Sequence, residues 1–170
     1  MNYICIGKFV NTHGLKGEIR ILSDFDLKDE IFKVGNYLYI DNKRYTINSY
    51  RKHKNYDMVT FKEINSINDI EIYKGKKVYV NREDYNFEYI MSDLIGFDIF
   101  VNDNNIGSVY EIVKSDLYPI LKVSGKSKFM VPYIDKFIQK LDLENNRIYI
   151  NYIKGLYDED WYSYIISKYV

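Results

Sequence analysis

The sequence offers little of the chemistry common in enzyme sites. Cys5 is the one cysteine among 170 residues, which excludes an internal disulfide framework and any zinc site built from cysteines of a single chain. His13 and His53 are the only histidines, and neither has a metal-ligand partner at helical or strand spacing. There is no P-loop, no dinucleotide-binding fingerprint opening a helix after a strand, and no serine in a nucleophile-elbow context. Carboxylates are plentiful, but they sit mostly in turns and at strand edges, where solvated faces are the usual explanation. The expectation is a binding protein with no catalytic residues, no metal and no cofactor.

Charge of one sign and long apolar runs are also missing. The 24 Lys and Arg balance the 24 Asp and Glu, and no apolar stretch approaches the roughly 18 residues of a membrane span. The opening Met1-Asn2-Tyr3-Ile4-Cys5-Ile6 is interrupted by Gly7 and Lys8, unlike the basic start and apolar centre of a secretory signal. A soluble, cytoplasmic protein with no membrane partner is expected. The zero net charge hides an asymmetry: residues 1–80 hold 14 Lys and Arg against 10 Asp and Glu, and residues 81–170 hold 10 against 14. Halves of +4 and −4 suit a basic half leaning on nucleic acid and an acidic half attracting a basic protein.

Prolines number two, whereas aromatics reach 17% and Tyr, Ile and Val recur in short runs broken by Asn, Asp and Gly. That is the pattern of many short strands. Strands are predicted at Tyr3–Val10, Glu18–Leu22, Tyr37–Asp41, Arg44–Tyr50, Asp57–Phe61 and Lys77–Val80, with a hairpin turn at Asp41-Asn42-Lys43 and a short helix over Ser66–Tyr73. The charged stretch Asn81–Asn86 marks a boundary, giving domains 1–83 and 89–170 joined by a linker at 84–88. Further strands are predicted at Asp98–Val101, Ser108–Val113, Ile120–Val123, Phe129–Val131 and Arg147–Tyr152, with Asn102–Asn105 as a hairpin loop and a helical turn over Ile134–Leu141. Tyr157, Trp161, Ile165 and Tyr169 recur at intervals of four, the signature of an amphipathic C-terminal helix.

The run Asn11-Thr12-His13-Gly14-Leu15-Lys16-Gly17-Glu18 joins the first two strands. Its glycines, Gly14 and Gly17, suit a tight connection of unusual backbone angles, with Lys16 at the tip. It could cradle phosphate, touch a partner or simply turn the chain. It formally matches the GxxG loop of KH modules, but that loop belongs between two helices. A basic cluster lies further on: Lys43, Arg44, Arg51, Lys52 and Lys54, interleaved with Tyr45, Tyr50 and Tyr56. Such a cluster neutralises phosphates and stacks bases, or protects a hairpin edge with cations.

Several spaced motifs occur together in one order: Ile6-Gly7-Lys8, Thr12–Glu18, Gly75, Tyr89 with Asp93-Leu94-Ile95-Gly96, Val131-Pro132-Tyr133-Ile134, and Gly155-Leu156-Tyr157-Asp158. In these the chain resembles the RimM family of bacterial ribosome maturation factors over nearly its whole length. The resemblance implies an all-β architecture of two small barrels in tandem. The first would be six-stranded, like those of translation factors, and the second a PRC-type barrel. It further implies a non-enzymatic, monomeric assembly factor that acts on the head of the small ribosomal subunit during 16S ribosomal RNA processing. Its partners would be small-subunit ribosomal protein nineteen and the immature particle.

The family's partner-binding segment falls on Tyr89, Ile90, Asp93, Leu94 and Gly96, and ribosome or RNA contact is expected at Lys16, Arg51, Lys52 and Lys54. Ile90 stands where a second aromatic is usual and Met91 where a tryptophan is common, with Tyr85 and Phe87 the nearest aromatics to compensate. Ile153-Lys154 replaces a proline and an acidic residue. Two other readings stay open: an RNA-modifying or RNA-processing enzyme, and a PRC-barrel adaptor of another assembly.

Overall fold

The computed structural model describes residues 2–15, 17–115 and 117–151. The chain divides into two compact units, the first ending at Glu88 and the second beginning at Tyr89. The expected C-terminal helix and Lys16 lie outside the described residues.

In the first unit, strands β1 (Tyr3–His13), β2 (Glu18–Leu22), β3 (Tyr37–Ile40), β4 (Lys43–His53), β5 (Tyr56–Phe61) and β6 (Lys77–Asn81) close in the order β1-β2-β5-β4-β3-β6. Alternation drives this closure. Ile19 and Ile21 of β2, Leu38 and Ile40 of β3, and Val78 and Val80 of β6 point inward and are fully buried, while the residues between them face outward. Closure leaves no open strand edge. The β3–β4 hairpin turns on Asp41 and Asn42, both at positive φ (52° and 63°), the conformation that suits a two-residue connection between twisted strands. Lys43, expected in the turn, begins β4.

Two short helices plug the barrel's connections. Helix α2 (Ile67–Glu71) starts where the sequence predicts. The Ser66 hydroxyl accepts from the N–H of Asn68 at 3.1 Å, the Asp69 carboxylate accepts from the N–H of Ser66 at 3.1 Å, and Ile70 is buried. Helix α1 (Lys28–Ile31) is a single turn that sequence periodicity does not reveal, since four residues are too few to show it. It is latched to the barrel by Lys28, whose Nζ lies 3.4 Å from the buried carboxylate of Asp57 and donates to the carbonyl of Ser23 at 3.0 Å.

The segment expected as a linker is docked on the first unit. A 3-10 turn at Arg82–Asp84 follows β6, the Tyr39 hydroxyl donates to Asp84 at 2.7 Å, and the Tyr85 hydroxyl donates to the carbonyl of Tyr37 at 2.9 Å. Tyr85 stacks on Phe87, which is buried and lies 6.1 Å from Phe25. These two aromatics are therefore spent on packing.

The second unit is a six-stranded sheet in the order β10-β9-β8-β7-β12-β11. Its strands are β7 (Asp98–Val101), β8 (Asn104–Val113), β9 (Ile120–Gly125), β10 (Lys128–Pro132), β11 (Ile138–Asp142) and β12 (Arg147–Ile150). The sheet surrounds one core in which Leu94, Ile99, Leu121, Val123, Val131 and Ile148 are fully buried. Pairing is antiparallel except between β12 and β7, where Ile148 stands beside Ile99.

Two expectations need correction here. The helical turn over Ile134–Leu141 is one turn only, closed by the Phe137 and Ile138 N–H groups on the Ile134 carbonyl at 2.9 Å. The chain then extends as β11. The apolar residues Ile134, Phe137, Ile138 and Leu141 imitate helical spacing, but β12 offers a strand partner and a register shift between Ile138 and Lys140 accommodates the pattern. The loop at Asn102–Asn105 shortens to Asn102 and Asp103, both at positive φ (45° and 64°), because Asn104 pairs with Val101 and Asn105 with Phe100.

Candidate functional site

The segment Tyr89–Gly96 opens the second unit, and each residue in it has a distinct job. The Asp93 carboxylate accepts from the backbone N–H of Ile90 at 2.9 Å, while the Asp93 N–H donates to the Ile90 carbonyl at 2.9 Å. This reciprocal pair shapes a 3-10 turn, Met91–Leu94. The turn drives Leu94 into the core at 0% exposure, with Ile90 nearly as buried at 6%. Gly96 then takes φ +93°, a left-handed angle that glycine adopts without penalty, and its N–H donates to the Val109 carbonyl at 2.7 Å. Of the expected partner-binding residues, Ile90, Asp93, Leu94 and Gly96 thus build the turn.

What the turn presents outward is different. Ile95 is 50% exposed, an unusual setting for a β-branched apolar side chain beside a core residue. Tyr89 is half-buried, and its hydroxyl lies 2.9 Å from that of Tyr133. Burial and then the Tyr89 hydrogen bond push the Tyr133 phenol above its ordinary value. Tyr89 and the Val131–Ile134 motif, far apart in sequence, therefore meet through these two hydroxyls. Tyr133 and Ile95 escaped the reading of candidate residues, although both lie inside motifs already visible in the chain.

The basic cluster divides. Because β4 is 11 residues long at about 3.3 Å per residue, its two ends are separated by about 30 Å. At one end Lys43 donates to the Tyr73 hydroxyl at 2.8 Å, holding that phenol below its ordinary value, and the Arg44 guanidinium covers the Tyr37 ring at 4.6 Å. At the other end stand Arg51, Lys52 and Lys54, all exposed. Arg51 forms a two-pronged pair with Glu18, Nε to Oε1 at 2.8 Å and Nη2 to Oε2 at 2.6 Å. That pairing draws the Glu18 carboxyl below its ordinary value. Two of the three interleaved tyrosines are not available for stacking. Tyr45 is buried, and Tyr50 stacks on Phe32 while its hydroxyl donates to Asp57 at 2.9 Å; burial first and Asp57 second push that phenol up to about 12.

The loop carrying Gly14 and Gly17 is a β-hairpin connection in which both glycines take positive φ (68° and 73°). A side chain at Gly17 would come within 2.9 Å of Ile64, whereas one at Gly14 would meet nothing within 4 Å. Among the described residues no group of three or more His, Cys, Asp or Glu side chains could hold a metal ion. None of the described helices is long and apolar enough to cross a membrane.

Comparison with known proteins decides the family. Residues 4–85 match the model of the RimM N-terminal domain, and residues 91–156 match that of the RimM PRC barrel domain. The ribosome maturation factor RimM of Ligilactobacillus salivarius is 41% identical over 168 residues, covering 92% of this chain and 99% of that protein.

The chain belongs to the RimM family.

The RimM of Staphylococcus haemolyticus is 37% identical over 163 residues, covering 90% of this chain and 98% of that protein. The solution structure of the N-terminal domain of RimM from Thermus thermophilus matches at a TM-score of 0.44 and 18% identity, covering 52% of this chain and 100% of that one; the assignment rests on the sequence relatives. In RimM terms the mostly β architecture is a closed six-stranded N-terminal barrel followed by the six-stranded sheet of the PRC domain. Tyr89 stands between the two matched regions, and Asp93–Gly96 opens the second.

Proposed function

We propose that this protein is a ribosome maturation factor that works by binding, holding a small-subunit ribosomal protein in a state competent for assembly into the head of the small subunit. The observation that carries the reading is the agreement, along 92% of the chain, with a relative named ribosome maturation factor RimM. The partner of choice is small-subunit ribosomal protein nineteen, met by the second unit through Tyr89 and Ile95 where they surround the turn held by Asp93. Residues 81–170 carry 14 Asp and Glu against 10 Lys and Arg, and ribosomal proteins are basic as a class, so complementary charge favours fast and selective encounter. The first barrel meets the immature particle and its 16S ribosomal RNA. Action is cytoplasmic, and no catalytic group is assigned.

The test is a titration of the purified full chain with purified ribosomal protein nineteen, in parallel with sedimentation of immature small subunits. Saturable binding that Tyr89→Ala weakens at least tenfold supports the reading. Unchanged affinity in that variant, with its fold intact, removes Tyr89 from the interface. An RNA-processing enzyme is excluded by single-turnover incubation with precursor RNA, supplied with metal and group donors, that leaves the RNA unaltered. Product that survives repurification and vanishes on a single substitution would replace the binding mechanism.

A further inference from the structure

Strands β1, β2, β4 and β5 contain two carboxylates between them, Glu18 and Asp57. Both are engaged: Glu18 by Arg51, and Asp57, 1% exposed inside the barrel, by Lys28 and Tyr50. The outward surface of the same strands is rich in cations. Residues directly opposite each other in a ladder project to one face, and the registers His13↔Glu18, Arg20↔Met58, Arg51↔Met58, Lys8↔Leu22 and His53↔Tyr56 put His13, Arg20, Arg51 and His53 on one surface. Arg20 and Arg51 flank Met58, so their Cα atoms are about 10 Å apart. Met58 is fully buried although it belongs to this outer row. The surface there is thus made by the side chains beside it. Lys54 extends the row at the β4–β5 tip, where it turns the chain at φ 55°, while Lys52, opposite Asp57, projects to the other face of the hairpin.

Arg20 is the centre of this surface. Its Nη2 donates to His13 Nδ1 at 2.9 Å, and its guanidinium lies 6.0 Å from the Tyr56 ring centroid. Its Nε is buried without a hydrogen-bond partner, and among the described residues no carboxylate pairs with it. A guanidinium always carries its charge, so this one is held in place by a ring and an imidazole and left without a counter-ion among the described residues. Lys8, Lys52 and Lys54 also make no ion pair among the described residues.

We infer that this outer face, centred on Arg20 with His13 and extended by Lys8, Arg51 and Lys54, is a binding surface for the phosphodiester backbone of RNA. The inference rests on the small-subunit reading for where such RNA would be met. Charge complementarity selects the occupant. Cores of protein–protein interfaces are depleted in charge and built on apolar anchors, whereas the exposed large apolar side chains here, Leu22 at 50%, Leu15 in the β1–β2 loop at 87% and Tyr3 near the start of β1 at 36%, stand singly among cations. Nucleic-acid interfaces are polar and strongly positive, and the guanidinium fork matches phosphate oxygens in pairs. Arg51 is partly masked by Glu18, so Glu18 tempers the affinity of the face.

The full chain is titrated with a fluorescently labelled, unstructured twelve-nucleotide RNA at several salt concentrations, and with polyglutamate as an acidic-protein probe. Combined Lys8→Gln, Arg20→Gln and Lys54→Gln is expected to weaken RNA binding at least tenfold near 0.1 M salt. It should also flatten the plot of log affinity against log salt by about 2, at about 0.7 per lost phosphate contact on a single strand. Arg20→Lys keeps the charge but not the fork, and should weaken binding several-fold with most of the salt slope retained. Glu18→Gln should tighten RNA binding, a gain that a folding defect cannot produce. Equal affinities in the wild type and the triple variant overturn the inference, as does polyglutamate binding as tight as RNA. Ribosomal protein nineteen is titrated against the same samples. Its retained binding leaves the assembly role standing when the RNA face fails.

Discussion

The hydroxyl groups of Tyr89 and Tyr133 lie 2.9 Å apart, tying the first residue of the second unit to the segment that leaves β10. Both rings pack against the core, so the hydrogen bond fixes where an exposed edge of aromatic surface stands. Tyr89→Phe or Tyr133→Phe is expected to cost about 1 kcal/mol of stability. The double variant should cost little more than either single one, because each loss removes the same bond. A denaturant double-mutant cycle checks this, and strict additivity would show that the two hydroxyls act separately.

Leu94 and Ile95 are adjacent but belong to different economies of the fold, one at 0% and the other at 50% exposure. Leu94→Ala is expected to destabilise the second unit by about 2–5 kcal/mol, as large-to-small changes in packed cores do. Ile95→Ala should leave the unfolding midpoint within about 0.5 kcal/mol of wild type and lower affinity for the ribosomal protein. Urea unfolding followed by binding titration separates the two, and a stable Leu94→Ala protein with impaired binding would place Leu94 in the interface instead.

Much of this architecture is legible in the sequence because alternation carries it. Glu18–Leu22 and Asp98–Val101 match their observed bounds, and α2 falls within the predicted Ser66–Tyr73. Periodicity failed where a short apolar pattern satisfied two templates, as in Ile138–Asp142, or where an element was a single turn, as in Lys28–Ile31. The candidate residues were harder for a physical reason. Tyr89–Gly96 carries a recognisable motif, yet only packing distinguishes the residues that make the turn from the one it displays. Lys43 to Lys54 look like one cluster along the chain, and extended backbone places their charges at opposite ends of a strand. Arg20 was visible as the outward neighbour of Glu18 in β2, but nothing short of the ladder puts it beside Arg51.

The two glycines of the first hairpin loop should differ when replaced. Gly14→Ala meets open space, so its cost is that of holding an L-residue at φ 68°, about 1–2 kcal/mol. Gly17→Ala has the same backbone cost at φ 73° and also brings a methyl within 2.9 Å of Ile64 and 3.2 Å of the Ser66 carbonyl. Its total loss is expected to exceed that of Gly14→Ala by about 1 kcal/mol or more. Thermal unfolding of the two variants gives the order, and equal midpoints would mean that the loop preceding α2 yields freely.

Acid stability should report the Glu18–Arg51 pair. The Arg51 hydrogen bond holds the Glu18 carboxyl below its ordinary value of 4.5 in the folded chain. A depressed carboxyl contributes stability that is present above its unfolded pKa and is lost as pH falls through the folded one. Since the Arg51 side chain is 49% exposed, solvent screening keeps the contribution small. The stability difference between wild type and Glu18→Gln is therefore expected to be full near pH 7, to shrink below pH 4.5, and to vanish once wild-type Glu18 is protonated. Urea midpoints measured for both proteins from pH 7 to pH 3 test the sign. A difference that persists unchanged at the acid end would assign the effect to packing of the Glu18 side chain, not to its charge.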